Sequence, residues 1–164
     1  MVKTGKNTIH AILGVSGIPR AGHEQAKASG IRMQVFYQAE NGSPVDVDTL
    51  SRGATFKAVV KITNPSSLAA TNLALSQKFP SGWEIQNDRL YRTDFSYPAG
   101  ISYQDFRDDR VLSFFDLKAG AGVTVTTTLT ATYPGHFYLP AVSCEAMYDA
   151  TVSAVVPGRW VDVK

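Results

Sequence analysis

The feature that most constrains this chain is a period-two alternation of apolar and polar residues. It is clearest between Val123 and Thr132, where Val125, Leu129 and Ala131 alternate with threonines. Successive side chains of a β-strand point to opposite faces, so this segment is predicted to be an antiparallel strand with one buried and one wet face. The alternation recurs in several other segments, and no amphipathic helix longer than about two turns is visible.

Turn sequences separate the alternating segments and predict roughly eight or nine strands. This order of short strands and turns is typical of an all-β fold, an antiparallel two-sheet β-sandwich. The last strands are predicted at Phe137–Met147, Ala150–Val156 and Trp160–Val163. We expect the alternating apolar residues to form the core, namely Phe56, Val60, Ile62, Leu73, Leu75, Val125 and Leu129.

The composition limits the classes of function. The 164 residues are 44% hydrophobic and 18% charged, which suits one globular domain, or one domain with a fragment of a neighbour. The net charge is +2 without a basic run, so nucleic-acid binding is not expected. There is no apolar stretch of about 18 residues, so insertion into a membrane is not expected.

A polar segment rich in Ala and Gly, from Arg20 to Gly30, is the candidate linker. It divides the chain into residues 1–29, the end of a preceding unit with its linker, and residues 30–164, the sandwich. The first residues lack the apolar region of a signal peptide, and we expect them to be the cut edge of a larger protein.

Metal binding is considered at two places and expected at neither. Zinc sites usually take two ligands from one short motif, whereas the three histidines lie far apart, at His10, His23 and His136. The acidic segment Asp105–Arg110 lacks the glycine turn and spaced oxygens of a calcium loop. We predict a turn whose carboxylates pair with its own arginines.

No catalytic pattern is visible, and the chain is not expected to be an enzyme or to bind a cofactor. Cys144 lies on a predicted strand without a neighbouring base, which favours a core residue over a nucleophile. There is no Gly-x-Ser-x-Gly, phosphate loop or dinucleotide fingerprint. The enzyme hypothesis would need the histidines, the aspartates and Cys144 to meet within about 3 Å in a pocket.

Met147 and Tyr148 are two adjacent large residues at the end of a predicted strand. Neighbouring residues on a strand face opposite ways, so one of the pair is expected in the core while the other needs cover from a neighbouring domain. If Phe137, Leu139 and Ala141 face the core, Met147 continues that face and Tyr148 points outward, and a bulge would swap the two.

Three long segments carry a family resemblance: Phe79-Pro-Ser-Gly-Trp-Glu-Ile85, the segment from Tyr103 to Leu117, and the segment from Tyr133 to Asp149. From about Gly30 to its end, the chain resembles the C-terminal domain of bacterial alpha-2-macroglobulins. The resemblance implies a macroglobulin-type sandwich of the immunoglobulin or fibronectin kind. Residues 7–17 resemble the closing strand of the preceding CUB-type domain.

The resemblance also implies a function. Members of this family are large endopeptidase inhibitors, attached to the bacterial cell envelope in the periplasm, that trap proteases. Cleavage of a bait region makes a thioester in a separate domain reactive, and the thioester then links to the protease. The implied partners are the thioester domain and other domains of the same full-length chain, and target proteases through the intact protein. Met147 and Tyr148 correspond to the pair that shields the thioester.

The thioester motif Cys-x-Glu-Gln is absent. The segment Gly22–Gln25 ends in the Glu-Gln of that motif but has no cysteine ahead of it. We therefore expect a non-catalytic domain that packs against the thioester domain and shields it. The alternative is a carbohydrate- or cell-surface-binding sandwich, based on Trp83, Trp160 and the tyrosine-rich segment 91–103. Tryptophans of sandwiches are more often core or hinge-packing residues.

Overall fold

The computed structural model describes residues 10, 12–14, 17, 20–87 and 97–164. This part of the chain is built from β-strands without a helix, so it contains no helix long and apolar enough to cross a membrane. The strands are β1 (Lys27–Ser29), β2 (Arg32–Gln38), β3 (Thr49–Leu50), β4 (Thr55–Thr63), β5 (Ala70–Lys78), β6 (Trp83–Gln86), β7 (Tyr103–Phe106), β8 (Arg110–Leu117), β9 (Gly122–Ala131), β10 (Gly135–Leu139), β11 (Val142–Ala146), β12 (Asp149–Val156) and β13 (Arg159–Val163).

The strands form the two layers of a sandwich. A six-stranded sheet with the order β1-β12-β11-β5-β8-β7 packs against a four-stranded sheet with the order β2-β4-β9-β6. A three-stranded sheet, β10-β13-β3, prolongs the first layer and packs on the same four-stranded sheet. The pairings between these strands are antiparallel, except for a two-residue parallel pairing of β13 with β3. The expected antiparallel two-sheet sandwich is confirmed.

The long strand predicted at Phe137–Met147 is instead two strands. β10 ends at Leu139 and β11 begins at Val142, because Pro140 has no N–H with which to continue the ladder. Pro157 separates β12 from β13 at the facing position. Breaks of this kind, together with very short strands, explain why the structure has more strands than the alternation predicts.

The core contains the seven residues that were expected to form it, from Phe56 to Leu129. The seven predicted side chains are all buried, and they fall into two clusters. Val60, Leu75 and Val125 belong to the cluster nearer the β11–β12 turn, which also holds Phe115. The other cluster is centred on aromatic rings. The ring of Phe56 packs edge-on against Trp83, with centroids 4.9 Å apart.

A buried polar layer separates the two clusters. Ser113 lies on β8 between Val111 of one cluster and Phe115 of the other, and Thr127 holds the equivalent position on β9. The amide of Gln104 donates to the hydroxyl of Ser113 at 2.9 Å. This bond joins neighbouring strands and gives the buried polar groups of Gln104 and Ser113 a partner inside the protein, so neither needs water.

The aromatic cluster generates a first prediction. Replacing the buried Phe56 with alanine should lower the free energy of unfolding by about 3–5 kcal/mol, because the cavity cannot be filled by the strands around it. Urea unfolding followed by circular dichroism measures this. Leu68→Ala is the control, since Leu68 is 75% exposed and its truncation should change stability by less than about 0.5 kcal/mol. Equal effects of the two substitutions would contradict the assigned core.

Candidate functional site

Met147 and Tyr148 form the two-residue turn between β11 and β12, and we call this pair the hairpin tip. Met147 is 54% exposed and Tyr148 is 82% exposed. The expectation that one of them lies in the core is therefore wrong. The reason is the interruption at Pro140, where Leu139 and Val142 are both buried although they lie three positions apart. The alternation changes face there, and the chain then turns before either tip residue reaches the core.

The backbone of the hairpin tip is attached to β5. The N–H of Met147 donates to the carbonyl of Asn72 at 2.9 Å. The N–H of Asn72 in turn donates to the carboxylate of Asp116 at 2.6 Å. Asn72 has a φ of 54°, in the left-handed region that asparagine tolerates better than most residues. The tip is thus joined by two successive hydrogen bonds to β8.

The other arm of the hairpin is held by its own side chains. Asp149 accepts hydrogen bonds from the N–H of Thr151 at 2.9 Å and from its hydroxyl at 2.6 Å. These bonds hold the pKa of the Asp149 carboxyl below its ordinary value. The hydroxyl of Ser29 donates to the carbonyl of Thr151 at 2.6 Å, which ties β1 to the same turn. The site therefore presents two exposed, largely apolar side chains on a fixed backbone.

Comparison with protein families accounts for the fold. Residues 30–150, from the start of β2 into β12, match the family described as the bacterial alpha-2-macroglobulin MG10 domain. The chain belongs to this family. The matched residues include the hairpin tip, Asn72 and Asp116, so the tip and its attachment to β5 and β8 lie within the MG10 match.

The MG10 domain is similar to small parts of much longer proteins. An alpha-2-macroglobulin of Pasteurella multocida is 25% identical over 138 residues, which cover 84% of this chain and 7% of the relative. One of Xylella fastidiosa is 24% identical over 161 residues, which cover 90% of this chain and 10% of the relative. The chain therefore spans a tenth or less of the length of these curated relatives.

Two solved structures have the same fold. Native Escherichia coli alpha-2-macroglobulin, from domain MG7 to the C-terminus, superposes with a TM-score of 0.77 and 18% identity over 90% of this chain and 25% of that chain. Salmonella alpha-2-macroglobulin reacted with methylamine superposes with a TM-score of 0.74 and 18% identity, over 86% of this chain and 10% of that chain. At this level of identity, the likeness shows the sandwich fold.

The three histidines of the chain do not come together. His10 and His23 are exposed near the start of the chain, and His136 lies on the outward face of β10. His136 pairs through Nδ1 with the carboxylate of Asp162 at 2.7 Å. Within residues 20–87 and 97–164 and the few described before them, no group of three His, Cys, Asp or Glu side chains is placed to hold a metal.

The acidic segment Asp105–Arg110 is the predicted self-paired turn. Arg107 donates to Asp105 at 2.9 Å, and Arg110 binds both carboxylate oxygens of Asp109 at 2.6 and 2.8 Å. The hydrogen bond from Arg110 holds the pKa of the Asp109 carboxyl below its ordinary value. The segment turns β7 into β8, as expected, and two of its three carboxylates pair with its own arginines.

The two tryptophans have different environments. Trp83 is only 3% exposed and belongs to the aromatic core, so it cannot stack on a sugar in the folded domain. Trp160 is 51% exposed and lies parallel to the ring of His136, with centroids 4.7 Å apart. Tyr138 packs edge-on against Trp160 on the same outward face. Of the two tryptophans, only Trp160 can still support the sugar-binding alternative. Residues 91–96 of the tyrosine-rich segment lie outside the described residues, and Tyr103 at its other end is 50% exposed.

Tyr138 is one residue whose role the sequence pattern did not indicate. Its hydroxyl donates to the carboxylate of Glu24 and accepts from the N–H of Gly22 at 2.8 Å. Partial burial raises the pKa of the Tyr138 hydroxyl, and the hydrogen bond from Tyr138 lowers the pKa of Glu24. These contacts fasten the segment before β1 to the outer face of β10.

The sequence pattern also did not indicate the roles of Asn72 and Asp116, although it contains a signal for Asn72. The buried residues Ala70 and Leu73 are three positions apart, whereas a regular strand would bury every second residue. Such an offset indicates an extra residue in the strand. An asparagine inside it is a good candidate for the left-handed conformation.

Cys144 is buried on β11, where burial raises the pKa of its thiol to about 12 and Glu145 adds to the shift. A folded-state pKa above the ordinary value of 9.0 means that the folded protein holds the proton more tightly. The associated stabilisation is complete below about pH 9 and is lost as the pH rises towards 12. The thiol is thus protonated and inert near neutral pH.

Because Cys144 is buried, its thiol is predicted to react slowly with alkylating reagents. At pH 8, iodoacetamide should modify the thiol of the native chain only as fast as the hairpin opens, and mass spectrometry of the intact chain measures the rate. The same chain in guanidinium chloride is the control and should react rapidly. Equal rates in the two conditions would show that Cys144 is accessible and that the assigned burial is wrong.

Proposed function

We propose that this chain is the non-catalytic C-terminal domain of a bacterial alpha-2-macroglobulin protease trap, and that its hairpin tip covers the thioester of another domain. The observation that carries this proposal is the hairpin tip itself. Met147 and Tyr148 are both large and exposed, yet the backbone beneath them is fixed by hydrogen bonds at both arms. A rigid turn with uncovered side chains is suited to insertion into a neighbouring surface.

The physical role of such a tip is to exclude water and amines. A thioester persists only while nucleophiles cannot reach its carbonyl carbon, and apolar cover is the simplest means of keeping them away. An aromatic side chain covers roughly 150–250 Å² when it is buried, so one tyrosine is large enough to close a small opening. The phenol of Tyr148 also brings a polar group that can pair at the rim of a partner site.

Domain organisation supports a partner within the same protein. The chain spans a tenth or less of the length of its curated alpha-2-macroglobulin relatives, so many other domains are available to cover the tip. We assign residues 1–29 to the end of a CUB-like domain and its linker, and residues 30–164 to the terminal domain. The last residues of that linker, β1, pair with β12 and so hold the two parts together.

The proposal also includes the cellular location of the intact protein and the proteases that it would bind. We place the intact protein in the periplasm, attached to the cell envelope, where it would meet target proteases through its other domains. The E. coli relative has been solved after activation by trypsin and by porcine elastase, and the Salmonella relative after reaction with methylamine. These treatments supply the appropriate probes for the present protein.

The first test uses the full-length protein. Tyr148→Ala should raise the rate of methylamine incorporation by roughly 30-fold, which corresponds to about 2 kcal/mol of lost cover at an interface aromatic. Trp160→Ala is the matched control, because it removes another exposed aromatic from the outer face of β13 and should leave the rate unchanged. The melting temperature of the 164-residue chain should change little, because Tyr148 makes little contact within it.

Several outcomes would overturn the shielding role. They are a Tyr148→Ala variant that reacts at the wild-type rate, a protein that takes up no methylamine even after this substitution, and equal acceleration by Trp160→Ala. Loss of sugar or cell-surface binding in Trp160→Ala, with methylamine uptake unaffected by Tyr148→Ala, would instead support the carbohydrate-binding alternative.

The second test asks whether the chain inhibits proteases by itself. The 164 residues contain no Cys-x-Glu-Gln, and their single thiol is buried, so no covalent trap can form. An equimolar amount of this chain should therefore leave trypsin activity on a protein substrate unchanged. Stoichiometric inhibition by the chain alone would contradict the assignment as a non-catalytic domain.

A further inference from the structure

The hairpin tip depends on an irregularity in β5. Ala70 pairs with Leu117 of β8, and Leu73 pairs with Phe115. Between these two pairs, β5 therefore contains one residue more than β8. The extra residue makes a β-bulge, and Asn72 within it is the only residue other than glycine with a positive φ in the part of the chain that the structure describes.

This bulge turns two backbone groups of Asn72 towards different partners. Its N–H meets the carboxylate of Asp116, the exposed outward residue of β8, at 2.6 Å. Its carbonyl accepts the N–H of Met147 at 2.9 Å. The bond from Met147 continues the register of the β11–β5 ladder, in which Ala146 faces Leu73. The N–H of Asn72 does not pair with the hairpin but with β8, so the bulge residue connects the two strands.

The resulting contact joins three elements that are distant in sequence. Two hydrogen bonds connect a side chain of β8 to the bulge of β5, and the bulge to the tip of the β11–β12 hairpin. We call Asn72 and Asp116 together the tip anchor. A second register shift, between Glu145 and Ala146, lies directly beside it in β11. Both irregularities occur at the end of the sheet where the tip projects, so they set its direction together.

We propose that the tip anchor is the positioning element of the shield: Asn72 and Asp116 fix the direction in which Met147 and Tyr148 project, and the cover over the thioester is lost when the anchor is broken. This inference rests on the proposed function. It adds that the tip side chains alone are insufficient, because a tip released from β5 could swing away from the opening that it covers. Neither anchor residue touches the reacting atoms, so both act through the tip.

Two pairs of substitutions separate the anchor from general stability. Asp116→Ala removes the carboxylate that accepts the Asn72 N–H, whereas Asp116→Asn keeps an oxygen acceptor at the same position. Asn72→Val disfavours the left-handed backbone, whereas Asn72→Gly allows it without strain. The four variants change two positions, Asn72 and Asp116, and both are exposed, so the sandwich core is untouched. The alanine and valine variants should break the anchor, while the asparagine and glycine variants should preserve it.

The first measurement is amide hydrogen exchange of Met147 in the 164-residue chain, followed by NMR. Exchange should be at least about 10-fold faster in Asp116→Ala and Asn72→Val, and near the wild-type rate in Asp116→Asn and Asn72→Gly. The amide of Val60, at the centre of the four-stranded sheet, serves as the internal reference. Unchanged exchange at Met147 in Asp116→Ala would overturn the anchor, whatever the full-length protein does.

The second measurement is methylamine incorporation by the full-length protein. Asp116→Ala and Asn72→Val should react faster than wild type although Tyr148 is present, and Asp116→Asn should restore the slow rate. If Tyr148→Ala accelerates the reaction while Asp116→Ala does not, the proposed shield stands and the positioning role is wrong. If Tyr148→Ala has no effect, the proposed function fails, and the exchange data still decide whether the anchor exists.

Discussion

The lack of an N–H on two facing prolines determines much of this structure. Pro140 and Pro157 interrupt the paired strands at the same level, so the long hairpin is divided into β10–β13 on one side and β11–β12 on the other. The interruption changes which side chains face inward, and it separates the three-stranded sheet from the six-stranded one. The hairpin tip owes its exposed pair of side chains to this change of face.

The sequence predicts those parts of the fold in which one strand keeps one periodicity. Phe56 and Leu129 follow unbroken alternation, and both are buried as expected. The same rule fails for Met147 because it was extended across Pro140, where the periodicity restarts. A proline inside an apparent strand is itself a signal of an edge or a break. The alternation on each side of such a proline therefore predicts its own buried face.

The attachment of the tip could not be predicted in the same way. Asn72, Asp116 and Met147 are far apart in sequence, and two of the three contribute only backbone groups to the contact. Backbone hydrogen bonds leave no pattern of residue types, because nearly every residue carries the same donor and acceptor. The only indication of the bulge is that Ala70 and Leu73, three positions apart, are both apolar residues that face the core. The choice of partner follows from the topology, which places β5 between β8 and β11.

A cover for a thioester must not react with it, and the chemistry of the hairpin meets this requirement. Residues 145–152 contain carboxylates, a thioether, a phenol and a threonine hydroxyl, but no lysine or cysteine. The nearest thiol, Cys144, points into the core, where burial raises its pKa to about 12 and keeps it protonated. An amine or a thiolate at the tip would attack the thioester that we propose it covers. Rigid backbone with unreactive side chains therefore suits the tip for shielding better than for catalysis.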